Sequence, residues 1–290
     1  MPADGEVDWS RPASEIVDLV RASSTQNPMA HTFGGDGEAI VIEKARLAKT
    51  SELPERQYHP GRRSRTVLCV ASHPDDEVLG VGATLALHAA RGDRVIAVIL
   101  SEGEDAKSDE LERSSTRRAD AKRSAELLGL DDIVLLDFPD QQFETVPFIE
   151  LILAIEGIIR SEKPEIVYTH HGGDANTDHQ IAFKATYAAC RPMTGAGALV
   201  NSLLAYETPS STDQAPQIDS FAFVPSRFVN VESVWDSKIE ALKCYASELV
   251  GGIHPRSLDY IEALARMRGG YAGYRLAEAF VVVRDRTDLI

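Results

Sequence analysis

The residues best suited to chemistry stand at the end of an apolar run, in LCVASHPDDEVL (residues 68–79). The apolar part predicts a buried strand, and the turn after it holds one histidine and three acids. His73 and Asp76 are three residues apart, so a helix that starts here brings both side chains to one side of its first turn. An imidazole and a carboxylate so placed are ligands typical of zinc. Asp75, between them, is expected to stay free of the metal and to act as a base.

A plain helix start is the competing interpretation. Pro74 suits the first helical turn, and acids there are favoured by the helix dipole. This accounts for one acid or two, but it gives no reason for His73. The metal-binding interpretation therefore explains more of the motif.

A second polar cluster, YTHHGGDANTDHQ (residues 168–180), also follows an apolar run. Thr177 and Gln180 have the spacing of a capping box, which predicts that His179 lies in the first turn of a helix and is the third metal ligand. Asp178 is expected to orient an imidazole. Asn176 or His171 is expected to donate a hydrogen bond to an oxygen that becomes negatively charged.

Between and around these clusters, short apolar runs alternate with amphipathic segments from residue 65 onward. This rhythm predicts an α/β fold, a Rossmann-like three-layer sandwich with a mostly parallel sheet. A smaller C-terminal α+β portion is expected after residue 195, with a strand at 221–224 and a helix over 234–249. In such sheets the ligand site lies beyond the carboxyl ends of the strands, where both clusters fall. Residues 63–290 are predicted to form this domain, and residues 1–62 an N-terminal extension of unknown role.

Composition narrows the functional classes. The formal net charge of −15 argues against nucleic-acid partners, because phosphate backbones repel an acidic chain. The longest apolar stretch, FIELILAIEGII, contains two glutamates and is too short to span a membrane. The first residues lack the pattern of a secretory signal, and three widely spaced cysteines form no disulfide framework or metal motif. We therefore expect a cytoplasmic protein.

Taken together, the motifs resemble the PIG-L/LmbE family of zinc-dependent N-deacetylases. The resemblance covers residues 65–284 and rests on SHPDDE, HHGGDANTDH, RRADAKRSAELLG, HPRSLDYIEALARMRGG and AEAFVVVR. It implies an enzyme that removes acetyl groups from N-acetylated amino sugars or their conjugates. It also implies that His73, Asp76 and His179 bind the metal and that Asp75 is the general base.

One position departs from the family pattern. Many relatives carry a histidine where this chain has Asn176, and an asparagine donates a hydrogen bond but carries no proton. The proton must then reach the leaving amine from Asp75 or from another group such as His171 or His254.

Substrate contacts are predicted for three further residues. Arg117 lies where relatives often have an arginine, and it would hold a sugar hydroxyl or a phosphate; a solvated helix charge is the alternative. His254 and Arg256, in GGIHPRS, resemble a family loop near the site. They would contact substrate or cap the helix at Ser257.

The expected reaction uses a zinc-activated water as nucleophile, with Asp75 accepting its proton. Two other classes stay open. A receiver-like regulator also has an acidic pair after its first strand, but magnesium prefers oxygen ligands to histidines. A protein of this fold that has lost its activity is the third class. The sequence leaves open which substrate is used, whether iron or cobalt replaces zinc, and whether the chain forms a homo-oligomer.

Overall fold

The computed structural model describes residues 31–33, 39–41, 64–101, 110–219 and 221–286. The chain divides into two units, Met1–Glu52 and Leu53–Ile290. In the first unit, strands β1 (His31–Phe33) and β2 (Ala39–Val41) pair antiparallel. The rest of the predicted extension lies outside the described residues.

The second unit alternates strands and helices as the sequence predicted. Its elements are β3 (Thr66–Ala71), α1 (Asp76–Ala90), β4 (Arg94–Ile99), α2 (Glu110–Leu128), β5 (Asp132–Leu135), α3 (Phe148–Glu162), β6 (Ile166–His170), α4 (Thr177–Ala189), β7 (Ser202–Tyr206), β8 (Arg227–Asn230), α5 (Trp235–Cys244), α6 (Leu258–Ala272) and β9 (Ala277–Asp285). The seven strands described in this unit form one sheet in the order β5-β4-β3-β6-β7-β9-β8. Strands β3 to β7 are parallel, and β9 runs antiparallel to both β7 and β8. The α/β prediction is confirmed.

The sheet is covered by helices on both faces, because its strands are apolar on both sides. Leu68 and Val70 of β3 belong to the core formed with α3 and α4. Val67 and Cys69, the alternate residues, belong to the core formed with α1. This alternation is the period of two expected of a strand. It produces the three layers that the sequence predicted.

Two details of the C-terminal portion differ from the prediction. Residues 221–224 form no strand; the strand begins at Arg227, after Pro225, and the Phe221 carbonyl accepts a hydrogen bond from His171 Nε2 at 3.0 Å. Helix α5 ends at Cys244, five residues early, because Tyr245 turns back to donate its backbone N–H to Leu242 O at 3.0 Å. The strands of this portion extend the main sheet and build no separate layer.

None of the helices in the described part of the chain is long and apolar enough to cross a bilayer. The apolar stretch that the sequence assigned to a helix of the fold is α3, and its Leu151, Ile155 and Ile159 are fully buried.

Candidate metal centre

The two polar clusters meet because β3 and β6 are adjacent and parallel. Helix α1 follows β3 and helix α4 follows β6, so the first turns of both helices lie at the carboxyl edge of the sheet. The first cluster contributes His73 and Asp76, and the second contributes His179. The sheet therefore brings together side chains that are more than 100 residues apart in the chain.

Three side chains form a compact set of candidate ligands. Asp76 Oδ2 lies 3.3 Å from His73 Nδ1 and 3.2 Å from His179 Nε2. One ligand atom from each residue lies within 4.8 Å of the other two. Two imidazole nitrogens and a carboxylate are a common protein donor set for a catalytic zinc, which keeps a further position open.

One buried atom tests whether a cation fits this set. Asp76 Oδ1 is buried and has no hydrogen-bond partner among the described residues. An unpaired buried carboxylate oxygen is costly, and a bound cation would satisfy it. Burial alone would lower the pKa of His179, but the carboxylates of Asp76 and Asp174 raise it to about 9. These carboxylates make the electrostatic potential at the candidate ligands negative, which favours a bound cation.

In each candidate histidine ligand, the ring nitrogen that does not face Asp76 lies close to another carboxylate. His73 Nε2 lies 3.0 Å from Asp178 Oδ2, and His179 Nδ1 lies 3.2 Å from Asp174 Oδ1. Asp140 Oδ1 is also 3.1 Å from His73 Nε2. Carboxylates in this position fix the tautomer and orientation of ligating imidazoles. Asp140 and Asp178 could also form a cation site with His73, but this would use the nitrogen that serves the second carboxylate.

The start of α4 differs from the predicted capping box. Asn176, not Thr177, is the N-cap, and its side-chain oxygen accepts the backbone N–H of Asp178 at 2.8 Å. Asn176 is one residue earlier, and its extended backbone conformation aims the short amide side chain at the free N–H groups. His179 still lies in the first turn. Since the cap uses the Asn176 oxygen, only its NH₂ group remains as a donor towards the site.

Asp75 has an unusual backbone conformation for a residue with a side chain, at φ 114° and ψ −30°. Its side chain is 5% exposed, and its Oδ2 lies 3.0 Å from Arg256 Nη1. Burial raises the pKa of Asp75 well above its ordinary value, although the Arg256 guanidinium opposes the shift. Asp75 is not part of the ligand set, so its carboxylate is available to accept or donate a proton.

A cavity of about 510 Å³ opens over the candidate ligands. It is lined by His73, Pro74, Asp75, Arg117, Asp140, Gln141, Ala175, Asn176, His179, Ser210, Ser211, Glu248 and Arg256. Arg117 and Arg256 both contact Glu248, at 2.9 and 3.0 Å. Apart from the two histidines, no aromatic ring is among these lining residues. The cavity suits a polar ligand that is held by hydrogen bonds.

Two predicted residues lie elsewhere. His171 Nε2 is 3.0 Å from the Phe221 carbonyl, and His254 Nδ1 accepts the backbone N–H of Arg256 at 3.1 Å. Neither lines the cavity. The helix after this loop is capped by the Ser257 hydroxyl, which accepts the Tyr260 N–H at 3.1 Å.

His170, the last residue of β6, also lies at the site, although it was not among the predicted site residues. Its ring stacks on that of His179 with centroids 3.9 Å apart, and its Nε2 accepts the Ser72 N–H at 2.9 Å. Burial lowers the pKa of His170 to about 3, so the ring is neutral. Asp174 was overlooked as well, although its place in the second cluster, five residues before His179, was a usable signal.

The fold and the ligand set define a Rossmann-like α/β protein with a His–Asp–His site at the carboxyl edge of its sheet. A family model described as PIG-L, GlcNAc-PI de-N-acetylase, matches residues 68–190. A second model, the C-terminal domain of formyl transferases, matches residues 1–82, of which the structure describes only part.

Relatives named as deacetylases agree with the first model, and one solved structure of similar fold is that of a hydratase. The chain is 30% identical over 191 residues to an uncharacterized deacetylase, YaiS, of Escherichia coli, covering 64% of this chain and 92% of the relative. It is 28% identical over 248 residues to diacetylchitobiose deacetylase of Thermococcus kodakarensis, covering 82% and 90%. The crystal structure of GalB, a 4-carboxy-2-hydroxymuconate hydratase of Pseudomonas putida, matches with a TM-score of 0.64 at 25% identity and covers 78% and 99%. The chain belongs to the PIG-L family, as the sequence motifs predicted.

Proposed function

We propose that this protein is a metal-dependent amide hydrolase that removes an acetyl group from an N-acetylated amino sugar or glycoconjugate. One observation carries the proposal: a buried His–Asp–His set lies at a polar cavity of about 510 Å³ beside a carboxylate, Asp75, that is not a ligand. The relatives called deacetylases support the amide-hydrolase class.

His73, Asp76 and His179 would hold the metal, which we take to be zinc because two of the three donors are imidazoles. Iron or cobalt suits the same donors. When bound, such an ion acidifies water and polarises a carbonyl group. Asp174 and Asp178 would keep the two rings in the tautomers that present Nε2 of His179 and Nδ1 of His73 to it.

Asp75 would accept a proton from the attacking water. Its carboxylate lines the cavity, and Arg256 at 3.0 Å stabilises the ionised form that a base requires. The NH₂ group of Asn176 would donate to the acetyl oxygen as negative charge develops there.

Asp75 would also return the proton to the leaving amine. Asn176 cannot carry a proton, and His171 and His254 do not line the cavity. His170 is fully buried and its pKa is lowered to about 3, which makes it a poor proton carrier near neutral pH. The Asp75 carboxylate would therefore act first as the general base and then as the general acid.

A second candidate is a hydratase, which adds water to a carbon–carbon double bond. It is favoured by one observation, the match to GalB over 78% of this chain. The receiver-like alternative is disfavoured because two of the three ligand atoms are nitrogens. An inactive protein is disfavoured because the ligand set and the free carboxylate are all in place.

Product analysis on the purified full chain, with its metal content assayed, separates these functions. We expect acetate and a free amine from at least one member of a panel of N-acetylglucosamine conjugates. We also expect that a chelator abolishes their release and that added zinc restores it. Water addition to an unsaturated hydroxy acid, without acetate release, would support the hydratase; no product with metal bound would support the inactive protein.

The three cysteines are all free, which supports the proposed cytoplasmic location. The partner is a small molecule, and a homo-oligomer stays an open proposal.

A further inference from the structure

The unusual conformation of Asp75 is held by side chains outside the cavity. Asp75 is the N-cap of α1, yet its side chain makes no capping hydrogen bond with any described residue, so the carboxylate remains available to the cavity. A positive φ is uncommon for a residue other than glycine and persists only where its surroundings enforce it.

Glu77 supplies the restraint on the backbone. Its Oε2 accepts the N–H of Asp75 at 3.0 Å, and the carbonyl of Asp75 accepts the N–H groups of Val78 and Leu79 at 3.0 and 2.8 Å. Both peptide groups that flank the Asp75 side chain are therefore fixed. Glu77 is 1% exposed and is not among the residues that line the cavity.

Tyr245 in turn fixes Glu77. Its hydroxyl donates to Glu77 Oε1 at 2.6 Å, so each oxygen of this carboxylate has a partner. Tyr245 is 3% exposed and belongs to the turn that ends α5, 168 residues away in the chain. A glutamate that only interacted with the helix dipole could do so from solvent. Glu77 is instead buried, and both oxygens of its carboxylate accept hydrogen bonds.

We infer that Glu77 and Tyr245 are positioning residues that hold Asp75 in its left-handed conformation and so aim its carboxylate into the cavity. The inference rests on the proposed function, since it assigns these residues to the alignment of the proposed base. Neither residue contacts the ligand set through a described hydrogen bond, so the metal should bind without them.

Four variants of the full chain test the inference. Tyr245→Phe removes only the hydroxyl and should lower kcat about 10-fold, with KM and metal content unchanged. Glu77→Leu removes the acceptor for the Asp75 N–H and should lower kcat about 100-fold, as expected for a base displaced by about 1 Å. Glu77→Gln keeps an acceptor oxygen and should restore most of the activity lost in Glu77→Leu.

Tyr168→Phe is the matched control. Tyr168 is also 3% exposed, and its hydroxyl also makes one buried hydrogen bond, to His88 Nε2 at 3.0 Å. This variant should keep the wild-type kcat. Equal kcat values for Tyr245→Phe and Tyr168→Phe would overturn the inference. If both fell, the loss would be a general effect of removing a buried hydroxyl; if neither fell, the Tyr245 hydroxyl would not position Asp75.

A crystallographic comparison works without any activity. The wild type should show Asp75 at positive φ, and Glu77→Leu should show it outside that region. An unchanged φ in Glu77→Leu would overturn the inference even if kcat fell. If the wild type releases no acetate, the proposed function fails while this comparison still decides the positioning role; if Glu77→Leu does not fold, the kinetics of Tyr245→Phe decide it.

Discussion

Replacing Asp75 by Asn tests the proposed base most sharply. The two side chains are nearly equal in size, but the amide cannot accept the proton of the attacking water. General bases contribute about 10²–10⁴-fold to rates. Because Asp75 is assigned both proton transfers, we expect kcat to fall about 10³-fold, roughly 4 kcal/mol in activation free energy.

The assay is the initial rate of acetate release at saturating substrate, with metal content measured on the same samples. Metal content should match the wild type, because the ligand atoms belong to three other residues. Asp213→Asn is the control: this carboxylate accepts the Tyr260 hydroxyl at 2.9 Å and does not line the cavity. A rate within 10-fold of the wild type would refute the role of Asp75, and a loss of rate together with metal would show that it acts through metal binding.

Three further predictions concern metal affinity and stability. Asp174→Asn should weaken metal binding about 10–100-fold in competition with a chelator, because it removes the carboxylate behind His179; unchanged affinity would contradict this. Gly80→Ala should lower the free energy of unfolding by about 1–3 kcal/mol in a denaturant titration, because the new methyl group meets the ring of a buried tyrosine. Gly157→Ala has open space around the new methyl group, and it should raise the free energy of unfolding by up to about 1 kcal/mol. Equal effects would refute the packing argument. Burial lowers the pKa of His88 despite its aspartate partner, so below about pH 6.5 the unfolded chain binds more protons and stability falls. Between pH 7 and 5, His88→Gln should therefore lose less stability than the wild type, and parallel losses would contradict the assignment.

The sequence was sufficient where the contacts are local or follow from sheet topology. His73 and Asp76 share one helical turn, and their spacing alone predicts that they meet. His179 joins them because the carboxyl ends of parallel strands lie at one edge, a rule that needs no knowledge of the intervening chain. The α/β fold and the order of the main elements could be predicted for the same reason, whereas the family was predicted from the resemblance of the motifs.

Contacts between distant segments were beyond the sequence. Nothing near Tyr245 indicates that its hydroxyl reaches Glu77, 168 residues away. Residues 221–224 form a short apolar run of the kind found in strands. The Phe221 carbonyl instead accepts a hydrogen bond from His171, and β9 pairs with residues after Pro225. Whether a segment forms a strand depends on the tertiary contacts that it makes in the folded chain, and the local pattern of apolar residues does not encode those contacts.

We propose that acetate release depends on a metal ion held by His73, Asp76 and His179. The most direct test is to strip the protein with a chelator and titrate zinc back while acetate release from an N-acetylated amino sugar is followed. We expect no acetate release from the stripped protein and full activity near one zinc per chain. Release that survives complete removal of the metal would contradict it.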